Sequence, residues 1–183
     1  MNKIDRVYSY VKPETRIKHA ISILRTIKNH PLIYNKEIPQ ILEQERKKRM
    51  EEPYKILKKL ETKLREYIKT KLKMVSENWW EERIPSKIRK KAEQRKEKDE
   101  KQYPWHKGED LHPIHYVDFT DYVKIITDKE NWEQVFKEKF KDEKVISVKL
   151  SELEPIRNAI AHSREVSKKD LVKLQVYYDE IIS

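Results

Sequence analysis

Leu150-Ser151-Glu152-Leu153-Glu154-Pro155-Ile156-Arg157-Asn158-Ala159-Ile160-Ala161-His162 carries its apolar side chains at Leu150, Leu153, Ile156 and Ile160. Spacings of three and four place these on one face of a helix that ends near His162. A proline is tolerated only in a first turn, so Pro155 puts the start near Lys149 or Ser151. Downstream, Ser167-Lys168-Lys169-Asp170 is a capping-box start for another helix, with Leu171, Leu174, Tyr177, Tyr178 and Ile181 along it.

Upstream the same period recurs. Pro13-Glu14 opens a helix bearing Ile17, Ala20, Ile21, Leu24 and Ile27 and ending near Asn29-His30-Pro31. A helix over about 36–50 is followed, after Pro53, by one with Leu57, Leu60, Leu64, Tyr67, Ile68 and Leu72 on a face, the two nearly continuous. Asp118 is placed to cap a helix with Phe119, Tyr122, Val123 and Ile126, and a short helix follows around Trp132, Val135, Phe136 and Phe140. Only Val145-Ile146-Ser147-Val148 reads as a strand, so the expected class is all-α. Residues 1–52 form an N-terminal helical extension and 53–183 a helical bundle. Within the bundle, 85–101 is a basic stretch, a projecting helix or a linker, and 102–117 is an irregular loop.

Composition narrows the chemistry. The 183 residues hold one glycine, Gly108, too few for a Rossmann fingerprint or a P-loop. The absence of cysteine excludes disulfides, thiolate zinc sites and thiol catalysis. No apolar run approaches the ~18 residues of a membrane span, and Met1-Asn2-Lys3-Ile4-Asp5-Arg6 opens without a secretion core. A cytoplasmic protein is expected.

The formal net charge is +10, and it is unevenly spread. Residues 45–101 carry 21 Lys/Arg and 12 Asp/Glu, a net of +9, while the other 126 residues supply +1. A solvated helix surface explains such a run as well as a polyanion footprint does. If it serves RNA, Lys87, Arg89, Lys90, Lys91, Arg95 and Lys96 are the candidates for tracking the backbone, and Trp105 for stacking on a base. Trp79, Trp80 and Trp132 are expected to pack in a core or an interface. His106, His112 and His115 fit no metal-ligand spacing, so no metal or cofactor is assigned, and contact of their loop with RNA stays open.

The residues suited to catalysis are Arg157, Asn158 and His162. Asn158 and His162 lie about 40° apart around a helix, close enough for the amide to hold an imidazole nitrogen, whereas Arg157 and His162 diverge by about 140°. The two meet at one phosphate only if the helix ends near His162 or a second copy supplies the partner. An imidazole can move the proton of a ribose 2′-hydroxyl, and a guanidinium can clamp a phosphate. The competing reading is a histidine that closes a helix, with Arg157 paired to Glu154.

The run Glu154 to His162, followed by Arg164-Glu165-Val166-Ser167 and Asp170-Leu171, resembles the HEPN superfamily (higher eukaryote and prokaryote nucleotide-binding domains). The similarity extends through Tyr116-Val117-Asp118-Phe119-Thr120-Asp121-Tyr122, Ile125-Ile126, Asn131-Trp132, Phe136, Leu174 and Tyr177-Tyr178-Asp179-Glu180-Ile181, about residues 55–182. It looks most like the HEPN type at the C-terminus of the yeast transcript-surveillance endoribonuclease that carries a PIN domain. The resemblance implies a helical bundle that dimerises and joins two Arg-x4-His motifs in a composite cleft. It also implies metal-independent endoribonuclease activity leaving 2′,3′-cyclic phosphate ends, with Arg157 as phosphate clamp, His162 as acid/base and Asn158 as orienting residue. Arg164, just past the histidine, joins the RNA-binding set. A toxin, defence or RNA-surveillance role, with an antitoxin or regulatory protein partner, fits that implication, and a non-catalytic RNA- or protein-binding module is the alternative. Some members add a polar residue four places before the arginine. Here that place holds Leu153.

Overall fold

The computed structural model describes residues 13–28, 37–103 and 111–182. All regular structure among them is helical. The chain divides into two compact units, Met1–Glu51 and Glu52–Ser183.

In the first unit α1 spans Pro13–Ile27, as its proline start and apolar spacing predict. Its stripe is not buried: Ile17 is exposed, and Ile21, Leu24 and Ile27 are half-buried. The two helices expected on either side of Pro53 are a single helix, α2 (Glu37–Val75), with the proline inside it. Proline removes one backbone donor from a helix but does not end it when neighbouring turns are held.

In the second unit α2 presents Leu57, Leu60, Leu64, Ile68 and Leu72 as a buried stripe. A five-residue helix, α3 (Trp79–Arg83), buries Trp79 and Trp80. The charged segment is a helix, α4 (Ser86–Gln102), but it is docked rather than projecting. Its two apolar residues, Ile88 and Ala92, are buried, and Trp80 Nε1 donates to the Glu93 carboxylate at 2.8 Å. A 3-10 turn, Pro113–Tyr116, lies along α4 and brings order to the end of the expected loop.

α5 (Phe119–Ile126) buries Phe119, Tyr122, Ile125 and Ile126. Asp118 occupies its N-cap position without making a side-chain cap, because its carboxylate is bound by α4. The next stretch is a short α6 (Lys129–Asn131), a π turn over Trp132–Phe136 and α7 (Lys137–Phe140). The Asn131 side-chain amide donates to the carbonyls of Arg83 and Ile125, tying this stretch to α3 and α5.

α8 begins earlier than its proline suggests, at Glu143, and runs to Ala161. Asp142 caps it by accepting from the amides of Lys144 and Val145, which also makes the strand-like Val145–Val148 helical. Pro155 therefore sits in the interior. Pro155 and Ser151, whose carbonyl loses its usual donor, are both exposed, so water can serve that carbonyl. Ile146, Leu150, Leu153, Ile156 and Ile160 are buried, packing α8 on α5. α9 (Lys168–Ile182) starts with the expected capping box: the Asp170 amide donates to Ser167 Oγ, whose hydroxyl donates to Asp170. Lys173 and Tyr177 on α9 both reach Glu152 on α8. No described helix is long and apolar enough to cross a membrane.

His112 belongs to this framework. Its ring stacks on Trp79 with centroids 4.9 Å apart, and its Nδ1 accepts from the Ile114 amide, capping the 3-10 turn. Burial, followed by the charges of Lys69, His115 and Lys96, pushes its pKa down against a smaller opposing effect of Glu81. The unfolded chain takes up this proton near pH 6.5 while the fold resists it, so stability is full above that value and falls below it. Urea unfolding at pH 7 and pH 5 is expected to show that fall. His112→Asn, which preserves a cap acceptor, is expected to flatten it.

Candidate RNA-binding and catalytic site

The site is built on a contact between α2 and α8 that sequence reasoning missed. Projected around α2, Glu61 falls inside the arc defined by Leu60, Leu64, Leu57, Ile68 and Leu72. On α8, Arg157 falls inside the arc of Ile156, Ile160, Leu153, Ile146 and Leu150. A charge facing the core needs a partner. These two meet: Arg157 Nε donates to Glu61 Oε1 at 3.2 Å, with side-chain exposures of 37% and 24%.

Glu61, rather than Glu154, thus holds the arginine. The signal was a carboxylate within a leucine stripe. Leu153, where some relatives have a polar residue, is fully buried. Asn158 also serves Arg157: its Oδ1 accepts from Nη1 at 3.4 Å, and no hydrogen bond joins Asn158 to the His162 ring. With Nε and Nη1 engaged, Nη2 is left without a partner among the described residues.

α8 closes at His162. His162 is the C-cap residue, with φ −95° and ψ 18°, and its amide donates to the Asn158 carbonyl. Ser163 follows in the left-handed region at φ 52° and donates to Ile160, while the Arg164 amide donates to Ala159 at 2.8 Å. This is a Schellman closure made without glycine. His162 and Arg164 are consequently exposed just beyond the last turn, and Arg157 is half-buried one turn back. The last two turns of α8 therefore carry a held guanidinium and an accessible imidazole, the two groups that in-line phosphodiester cleavage calls for.

The cationic candidates on α4 separate into two groups. Lys91 and Arg95 hold the fold: both bind Asp118, Arg95 through Nη1 at 2.5 Å and Nη2 at 2.9 Å, and Arg95 also donates to the Tyr116 carbonyl. The Arg95 hydrogen bond, with help from Lys91, keeps the Asp118 carboxyl below its ordinary range. Arg89 donates to the Ile84 carbonyl, and Lys96 lies near Glu100. Lys87 and Lys90 remain exposed to solvent. Trp105 and His106 lie outside the described residues. His112 and His115 are not a pair of ligands: His112 is stacked on Trp79, and His115 faces Arg65.

A model of the Swt1-like HEPN family matches residues 55–181. The chain belongs to that family. No curated protein and no solved structure matches it. HEPN membership associates the chain with RNA and with ribonuclease activity in general. The matched span of this HEPN domain takes in the buried stripe of α2, the α4–α5 junction and the closed end of α8.

The two ion-pair anchors can be tested through stability. Glu61→Gln leaves Arg157 facing a half-buried neutral group and is expected to cost about 1–2 kcal/mol, between surface and buried pairs. Asp118→Asn releases Lys91 and Arg95 from α5 and is expected to cost a similar 1–2 kcal/mol or so. Denaturant midpoints check both, with Lys87→Ala as a substitution expected to leave the midpoint unchanged.

Proposed function

We propose that this HEPN protein is a metal-independent endoribonuclease whose active site is composed by two copies of the chain. The observation that carries the reading is the closure of α8 at His162, which exposes the imidazole little more than a turn beyond a fixed Arg157–Asn158 pair. In this mechanism His162 takes the proton of a ribose 2′-hydroxyl, whose oxygen attacks the adjacent phosphorus. Arg157, aimed by Glu61 and Asn158, binds the non-bridging oxygens and stabilises the charge that develops on them. The 5′-oxygen departs with that proton, returned by the same imidazole. The products are a 2′,3′-cyclic phosphate and a 5′-hydroxyl.

The divergence of Arg157 and His162 around α8 supports composition from two protomers, since no hydrogen bond links them within one. Exposed Val172 and Val176, one turn apart on α9, offer apolar surface for a second copy. RNA entering the site passes a domain whose exposed cations include Lys87, Lys90 and Arg164.

Mixing chains tests the proposal. Arg157→Ala and His162→Ala are each expected to lose about 100-fold or more in cleavage of single-stranded RNA. Equimolar mixtures, exchanged through mild denaturant, are expected to regain a clear fraction of wild-type activity. An inactive mixture beside an active wild type places the site within one protomer. An inactive wild type, on single-stranded and looped substrates alike, overturns the ribonuclease reading in favour of a binding module. In that assay Lys87→Ala with Lys90→Ala is expected to weaken RNA affinity more at low salt than at high salt.

A further inference from the structure

One turn along α2 from Glu61 stands a second arginine, Arg65, whose surroundings differ from those of Arg83, Arg95 and Arg157. Arg83 meets Glu130, Arg95 meets Asp118 and Arg157 meets Glu61. Arg65 is half-buried, yet neither group it bonds is a carboxylate: Nε donates to the Tyr122 hydroxyl at 3.1 Å, and Nη1 to His115 Nδ1 at 3.2 Å. The guanidinium is therefore fixed in direction by a phenol and an imidazole, neither of which brings a negative charge to cancel its own.

Its position is as informative as its partners. Tyr122 is fully buried at the centre of α5, and burial raises its pKa. The charges that bear on the same hydroxyl are those of Arg65, Glu61 and Arg157. Two guanidiniums and one carboxylate thus bear on a single phenol, which places Arg65 and Arg157 in one neighbourhood. A half-buried cation held by phenol and imidazole is oriented for an incoming anion, and the oxygens of phosphate match the guanidinium fork.

We propose that Arg65 is a second RNA phosphate-binding residue, holding a phosphodiester next to the one that Arg157 engages, with Tyr122 and His115 as its positioning residues. The proposal rests on RNA being the ligand of the Arg157 site. It assigns single-stranded RNA two fixed phosphate contacts on α2 and α8 and makes the site read a stretch of backbone rather than one linkage.

The experiment measures fluorescence anisotropy of a 2′-O-methyl RNA hexamer bound to the full chain across a salt series. This probe has no 2′-hydroxyl nucleophile, so binding is read without cleavage and stands apart from the ribonuclease reading, which unmodified RNA tests separately. Arg65→Gln is expected to weaken binding several-fold at low salt and to reduce the slope of log affinity against log salt by about 0.7, one single-strand phosphate contact. Arg65→Lys, which keeps the charge but loses the fork, is expected to retain the slope. Tyr122→Phe, which removes only the positioning hydroxyl, is expected to weaken affinity while retaining the slope, and gives a variant that keeps the guanidinium should Arg65→Gln fail to fold. Equal slopes for wild type and Arg65→Gln overturn the proposal. So does an equal loss of slope in Arg65→Gln, Arg65→Lys and Tyr122→Phe, because a structural role predicts that pattern, and so does the absence of salt-dependent binding by wild type.

Discussion

The ion pair between Glu61 and Arg157 is the constraint on which the site depends. Each residue lies in the core-facing arc of its own helix, where an unpaired charge is costly, and each meets that need through the other. The apolar stripes set the rotation of α2 and α8. The pair then sets their register, because a shift of one turn on either helix would leave both charges facing leucine and isoleucine. Arg157 is held at Nε by a neighbouring helix and at Nη1 by the residue that follows it, so in the proposed mechanism it would lose little side-chain freedom on binding a phosphate.

The end of α8 is the second fixed element. Closure through Ser163 and Arg164 satisfies the last carbonyls of the helix and stops it within one residue of the histidine. Ser163 adopts a left-handed conformation that disfavours a side chain, in a chain whose one glycine lies elsewhere. The helix end is thus maintained by hydrogen bonds and by the buried stripe behind it, not by backbone preference. Asp118 gives up its capping role to anchor α4, turning two of the most basic positions of that helix into structural contacts.

Much of this was legible in the sequence, and the exceptions have physical causes. The helical class followed from apolar residues three and four apart, and the capping box at Ser167 and the buried tryptophans were visible as local patterns. Boundaries near proline were misplaced because Pro53 and Pro155 were read as helix ends. Tertiary packing and the Asp142 cap carry the helices through them. Arg157, Asn158 and His162 were singled out as candidates from their spacing and from family resemblance, but their partners were not. Glu61 lies 96 positions before Arg157, with Arg65 one turn further along the same helix. The local sequence around Arg157 gives no hint of either, and the only trace of Glu61 is a charge set within a leucine stripe.

The chemical nature of the RNA ends tests the central claim most directly. Purified protein incubated with a defined oligoribonucleotide in EDTA, with products resolved by mass, is predicted to leave 2′,3′-cyclic phosphate and 5′-hydroxyl termini. These are the products of 2′-oxygen attack assisted by an imidazole and a guanidinium. Termini carrying a 3′-hydroxyl and a 5′-phosphate, or cleavage that stops when EDTA is added, would contradict the account.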